Sequence, residues 1–247
     1  MIGYSRGFFG LPPVVKNLIL INVFVLIADI TAERVFSMRL NEILGLHFPK
    51  SELFRPVQLL SHMFMHGNFT HLFFNMFALF MFGRVLEMVW GPKRFLIYYF
   101  VSGLGAALVH ETVILIQYSG VMQVIPPADL QNVLDHGLEY FNRQQTFIDP
   151  VMRDLQLILF APTVGASGAV FGILLAFGVL FPNTQIMLLF PPIPIRAKYL
   201  VIAYGALELY LAVTRPGSNI AHAAHLGGML FGYILIRVWR KTTKTLY

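Results

Sequence analysis

The chain has 247 residues, 57% of them hydrophobic and only 12% charged, with mean hydropathy +0.68, whereas a soluble domain carries roughly a quarter charged residues; an ordinary soluble fold is excluded and a polytopic membrane protein is indicated. The net charge of +6 comes from basic residues scattered between apolar runs, without a basic-aromatic patch, which argues against nucleic-acid binding. The absence of cysteine excludes disulfides, thiol catalysis and cysteine-ligated zinc.

Pro12-Pro13 precede a first apolar run from about Val14 to Ile30, long enough at about 1.5 Å per residue to cross a hydrocarbon core of about 30 Å. Arg6 and Lys16 flank its start and no clear small-residue cleavage site follows, so it reads as a retained span. Thr31 to Gln58 is mixed in character and predicts a long, partly helical loop. A second run, Leu59 to Trp90, is interrupted early by His62, His66, Gly67, Asn68, His71 and Asn75, and is expected to become a span near His71. Gly91-Pro92-Lys93-Arg94 breaks the chain before a third span, Phe95 to Gln117, in which Gly103, Gly105, Ala106 and Ala107 form a close-packing face.

Tyr118 to Phe160 is the most polar stretch and predicts an insert outside the lipid, with one amphipathic helix starting at Pro126-Pro127 and running through Leu130, Val133, Leu134 and Leu138. The fourth span, Ser167 to Phe181, is short. A loop marked by Pro182-Asn183, Pro191-Pro192-Ile193-Pro194 and Arg196-Ala197-Lys198 leads to a fifth span, Tyr199 to Val213. Thr214 to Asn219 is a tight connection, and the sixth span runs from Ile220 to Val238 before Arg240, Lys241 and Lys244.

Six spans put both termini on one side. Arg6, Lys16, Lys93, Arg94, Arg196, Lys198, Arg237, Arg240, Lys241 and Lys244 fall on that side and the acid-rich insert on the other, so the termini are expected in the cytoplasm. Alternating direction then brings His71, Ser167 and His225 to the outer ends of spans two, four and six. Three separated motifs meet at one depth.

Ionisable side chains within lipid are costly and commonly functional. Ser167 becomes a nucleophile once a base takes its proton, and His225 is a better base candidate than His222. Gly168 and Gly172, like Gly228 and Gly232, are four apart and allow the two helices to approach closely. No carboxylate lies in span four or six, which favours a Ser/His dyad over a triad, with Phe171 one turn after Ser167 able to pack on the His225 ring. His71 and Asn75 share a helical face and, with the Ser167 N–H, are candidate oxyanion donors; the same pair also reads as hydrogen-bonding glue between helices.

These residues resemble the rhomboid intramembrane serine proteases. The resemblance rests on Gly165-Ala166-Ser167-Gly168, on His71 and Asn75 in His66-Gly67-Asn68-Phe69-Thr70-His71-Leu72-Phe73-Phe74-Asn75, and on Ala224-His225-Leu226-Gly227-Gly228, and it covers about Leu59 to Phe231. It implies an all-α, six-transmembrane-helix rhomboid-like bundle, a single membrane domain over 1–247 with the outer-side insert at about 118–160 between helices 3 and 4. It further implies an endopeptidase cleaving single-pass transmembrane proteins near the outer boundary, with Ser167 as nucleophile, His225 as base, and His71 with Asn75 in the oxyanion hole. Gly165 and Gly168 would support the site. His66 and Gly67 would belong to the loop before span two, and Arg84 with Glu87 to its cytoplasmic end. Tyr204, Leu207, Tyr210 and Leu211 of span five would form a lateral gate. Where many members carry Trp-Arg, this chain reads Val57-Gln58.

No cofactor or metal is expected, and the partners are the lipid bilayer and transmembrane substrates in a bacterial inner membrane. Three rivals remain: a metal site built from His62, His66, His71, His222 and His225; a transporter with Glu208 on its path; and a catalytically inactive rhomboid-like binder of membrane proteins.

Overall fold

The computed structural model describes residues 10–187, 192–214 and 222–242. Arg6, Pro191, the connection 215–219, Ile220 and Lys244 therefore lie outside the described residues.

Helix α1 (Pro13–Phe36) begins at two prolines, which supply no N–H groups, and its first available donors go to a distant acceptor: Val14 N–H and Val15 N–H donate to the Glu87 carboxylate at 2.9 and 2.7 Å. A fully buried carboxylate thus caps α1, and its charge complements the positive helix end. Replacing Glu87 by alanine is expected to lower stability by about 2 kcal/mol, read as a fall in melting temperature in detergent; an unchanged melt would remove the cap from this account. At the other end α1 runs six residues beyond the predicted Ile30. There Asp29 accepts from Leu40 N–H and the Asn41 side chain at 2.8 and 2.7 Å, holding the short α2 (Leu40–Leu44).

The loop that follows is anchored by Gln58 at the start of α3 (Gln58–Ser61), the position where a Trp-Arg pair was missing. Its Oε1 accepts from Arg55 N–H, and its Nε2 donates to the carbonyls of Ile43 and Leu53, all at 3.0 Å. A buried amide with both ends engaged does the anchoring.

Span two begins at α4 (Phe69–Ala78), continues through a π turn at Leu79–Gly83 and ends in α5 (Arg84–Trp90). Asn68 caps it, Oδ1 accepting from His71 N–H at 2.8 Å. Helix α6 (Pro92–Val124) has 33 residues, about 50 Å at 1.5 Å per residue, and corrects the predicted end at Gln117. Its extra turns persist because Ile114, Tyr118 and Val121 recur at helical spacing and pack on the insert.

The insert holds two helices where one was expected, α7 (Pro127–Asn142) and α8 (Pro150–Phe160). Met152, Leu155, Ile158 and Leu159 form the buried stripe of α8 and share a core with Val133 and with Phe48 of the first loop. Gln156, fully buried, accepts from Phe147 N–H and donates to the Gly137 carbonyl at 2.9 Å, fixing the two helices together.

Helix α9 (Ser167–Leu180) is the centre of the bundle, with most of its residues buried among α6, α11 (His222–Thr242), α10 (Ala197–Thr214) and span two. Between α9 and α10 lies a hairpin that was not predicted, β1 (Gln185–Met187) antiparallel to β2 (Pro194–Arg196), whose paired Ile186 and Ile195 pack under Leu174 and Leu200. Four helical stretches, Pro13–Phe36, Phe69–Trp90, Pro92–Val124 and Ala197–Thr214, are long and apolar enough to cross a membrane. With the shorter α9 and with α11 they make six helical columns, in keeping with the expected bundle. The chain is a multi-pass membrane protein.

Candidate active site

Three helices present their N-terminal ends to one region: α4 with His71, α9 with Ser167 and α11 with His225. Gly165 makes the entry to α9 possible. Its φ of +130° suits glycine, and an added Cβ would lie 2.8 Å from Cε1 of the His71 ring. Its N–H donates to the His62 carbonyl at 2.9 Å, which ties the turn to the first loop.

The contact between α9 and α11 is backbone on backbone, since a Cβ at Gly228 would collide with the Gly168 carbonyl. Only such an approach lets two short reaches meet. Ser167 Oγ and His225 Nε2 are 2.8 Å apart, and the His225 ring lies flat on Phe171, with centroids 4.2 Å apart and planes 8° off parallel. Both predicted contacts of His225 are present.

Ser167, His225, His71 and Asn75 line one cavity of about 1680 Å³, which extends past the C-terminal turns of α6 to α8 of the insert. Asn75 donates one amide hydrogen to the His71 carbonyl at 3.1 Å, leaving its second for the cavity. The Ser167 N–H, at the first position of α9, has no acceptor within its own helix. His66 sits edge-on to His71, centroids 5.0 Å apart. Burial, reinforced by the neighbouring His71, pushes the His66 pKa down to about 4, so it is uncharged at neutral pH. His62 is lowered by burial as well, and its Nδ1 contacts the Gln58 carbonyl at 2.8 Å.

A profile of the Rhomboid domain matches residues 52–242. The chain belongs to the rhomboid family. It is 29% identical over 178 residues to "Rhomboid protein 1, mitochondrial" of Saccharomyces cerevisiae, covering 72% of this chain and 40% of that one. It is 27% identical over 180 residues to "Rhomboid protease AarA" of Providencia stuartii (70% and 52%), and 26% identical over 178 residues to "Putative rhomboid protease YdcA" of Bacillus subtilis (72% and 64%). The chain thus spans between 40% and 64% of the length of these three relatives.

In this rhomboid the predicted gate residues divide. Tyr204 lines the cavity and meets the Phe171 ring edge-on, whereas Leu207 and Tyr210 face outward from α10. The histidines considered as a metal set also divide. His62, His66 and His71 lie with the first loop and α4, and among the described residues the group able to present three donors together is Glu208, His222 and His225, within 4.8 Å of one another. Glu208 Oε2 is 2.6 Å from His222 Nδ1 and 3.1 Å from His225 Nδ1. The carboxylate absent from spans four and six comes from α10. His110 belongs to none of the motifs read in the sequence; it lines the cavity and lies 2.8 Å from the Thr163 hydroxyl.

Proposed function

We propose that this rhomboid is an intramembrane serine endopeptidase with Ser167 as nucleophile and His225 as general base. The observation that carries the reading is the 2.8 Å Ser167–His225 contact inside a membrane bundle, open to a cavity large enough for a peptide segment and water. In the proposed reaction Ser167 Oγ attacks a peptide carbonyl carbon as its proton passes to His225 Nε2. The imidazolium returns that proton to the leaving amine, and water then releases the acyl-enzyme by the same route. His71, the remaining Asn75 N–H and the Ser167 N–H would receive the developing oxyanion, each donor contributing about 3 kcal/mol. Replacing Asn75 by alanine is accordingly expected to lower kcat by about 100-fold with little change in KM; a variant as fast as wild type would return Asn75 to the role of interhelical glue.

Substrates are proposed to be single-pass proteins with small or helix-breaking residues near the membrane boundary, because a helical carbonyl is already hydrogen-bonded and hidden from attack. Basic residues toward the end of the bundle away from the site support termini in the cytoplasm, and the membrane is proposed to be a bacterial inner membrane. Neither metal nor cofactor takes part in this reading. Two donors sharing a tetrahedral zinc sit about 3.3 Å apart, while the 2.6 Å between Glu208 and His222 is a direct hydrogen-bond distance.

The test is to incubate detergent-purified protein, with and without EDTA, with a generic single-pass substrate and separately with a fluorophosphonate probe. Cleavage that survives EDTA, with the probe on Ser167, is expected. Loss of both signals in protein that still binds the substrate would make it the inactive binder.

A further inference from the structure

We propose that Glu208 is a positioning residue for His225, held by His222, so that the Ser167–His225 pair works as a Ser-His-Glu triad whose carboxylate comes from α10. This rests on the reading of Ser167 and His225 given above. Glu208 is 7% exposed and is the only described residue of α10 beyond Val201 that is buried. A carboxylate in that setting is costly unless it is partnered. One partner, His222 Nδ1 at 2.6 Å, would suffice for that, yet the same oxygen also lies 3.1 Å from His225 Nδ1. The second approach is oblique, without hydrogen-bond alignment in this state.

The consequence concerns which nitrogen carries the proton. An ionised carboxylate only accepts, so an imidazole facing it through Nδ1 presents N–H there and keeps its Nε2 lone pair for the serine. Stacking on Phe171 fixes the plane of the ring but not this choice, because both neutral tautomers present the same flat face to the phenyl ring. A carboxylate oxygen 3.1 Å from Nδ1 favours the proton on that nitrogen. When Ser167 gives its proton to Nε2, the Nδ1 proton stays on His225 and the new positive charge lies beside Glu208 in a medium of low dielectric. His222 occupies the carboxylate from the other side and limits its swing.

The experiment uses the full chain with Ser167→Ala, Glu208→Gln, His222→Asn and His222→Leu, reading kcat and KM on a single-pass substrate, the rate of fluorophosphonate labelling and the melting temperature. Glu208→Gln should lower kcat and labelling together by about 10- to 100-fold with KM within twofold of wild type. His222→Asn, which keeps an N–H near the Nδ1 position, should stay within about threefold, while His222→Leu should lose about tenfold. The Asn rescue carries the comparison even if Glu208→Gln does not fold. Wild-type kcat and labelling in Glu208→Gln would overturn the proposal, as would losses that follow a falling melting temperature and a rising KM. Activity removed by EDTA and restored by zinc would overturn it too, making the three side chains a metal site. Cleavage that persists in Ser167→Ala sinks the underlying assignment, whereas an inert Ser167→Ala beside a normal Glu208→Gln sinks this inference alone.

Discussion

Replacing Ser167 by alanine is expected to reduce cleavage of a single-pass substrate by on the order of 10⁴-fold or more, with substrate binding preserved. In the proposed reaction this hydroxyl forms the acyl-enzyme, and Oγ makes no other hydrogen bond seen among the described residues than that with His225. Removing it deletes the reaction while leaving α9 packed. His225→Ala should cost a similar factor, because a serine without a base is a poor nucleophile, and the double variant should be little worse than either single one. Kinetics on the three proteins measure this directly. Equal cleavage by wild type and Ser167→Ala would point to a contaminant or to metal chemistry.

The second large effect is structural. Gly228→Ala is expected to destabilise the protein by about 3 kcal/mol and to lower activity at least 100-fold. Its new methyl would fall on the Gly168 carbonyl, and neither backbone has a side chain to move aside. The helices must separate, and His225, one turn from Gly228, then leaves Ser167. Gly120→Ala in α6 is the control, since nothing lies within 4 Å of the added carbon; helix propensity alone predicts a gain of about 0.5–1 kcal/mol. Melting temperature in detergent and kcat on both variants decide the matter. A well-folded, active Gly228→Ala protein would show that close backbone approach does not set the site.

Orientation in the membrane is open to a simple check because the chain has no cysteine. Single cysteines introduced at Lys93 and at Gln131 should react with an impermeant maleimide from opposite sides of sealed vesicles; labelling from one side would contradict the proposed topology.

Much of the architecture was legible because lipid imposes a coarse rule: each span must be apolar and long, and its backbone must bond within itself. That rule gave the expected columns and an expected common depth for Ser167, His225 and His71, and the three line one cavity. The glycine spacing in Gly168 and Gly228 foretold a close contact, since small residues at intervals of four have few other uses in a bilayer. Errors fell where polarity and structure part company. The end of α6 and all of α8 read as polar insert, although Tyr118, Val121, Met152 and Leu155 recur at helical spacing and share a buried core. The β1–β2 hairpin is three residues a side, too short for any periodic signal.

What the sequence by itself determined is the class of molecule and the rhomboid likeness, with Ser167 and His225 as the candidate reacting pair, because composition and motif order are local properties of the chain. Only the tertiary structure decided what surrounds that pair. Gln58 proved to be the anchor of the first loop, Glu87 the cap of α1, and Glu208 the carboxylate beside His222 and His225. Each joins positions that no spacing rule relates. A polar side chain in an apolar run signals that a partner must exist, since leaving it unpaired is costly. Which partner it finds depends on how helices far apart in the chain are turned toward one another, and packing sets that.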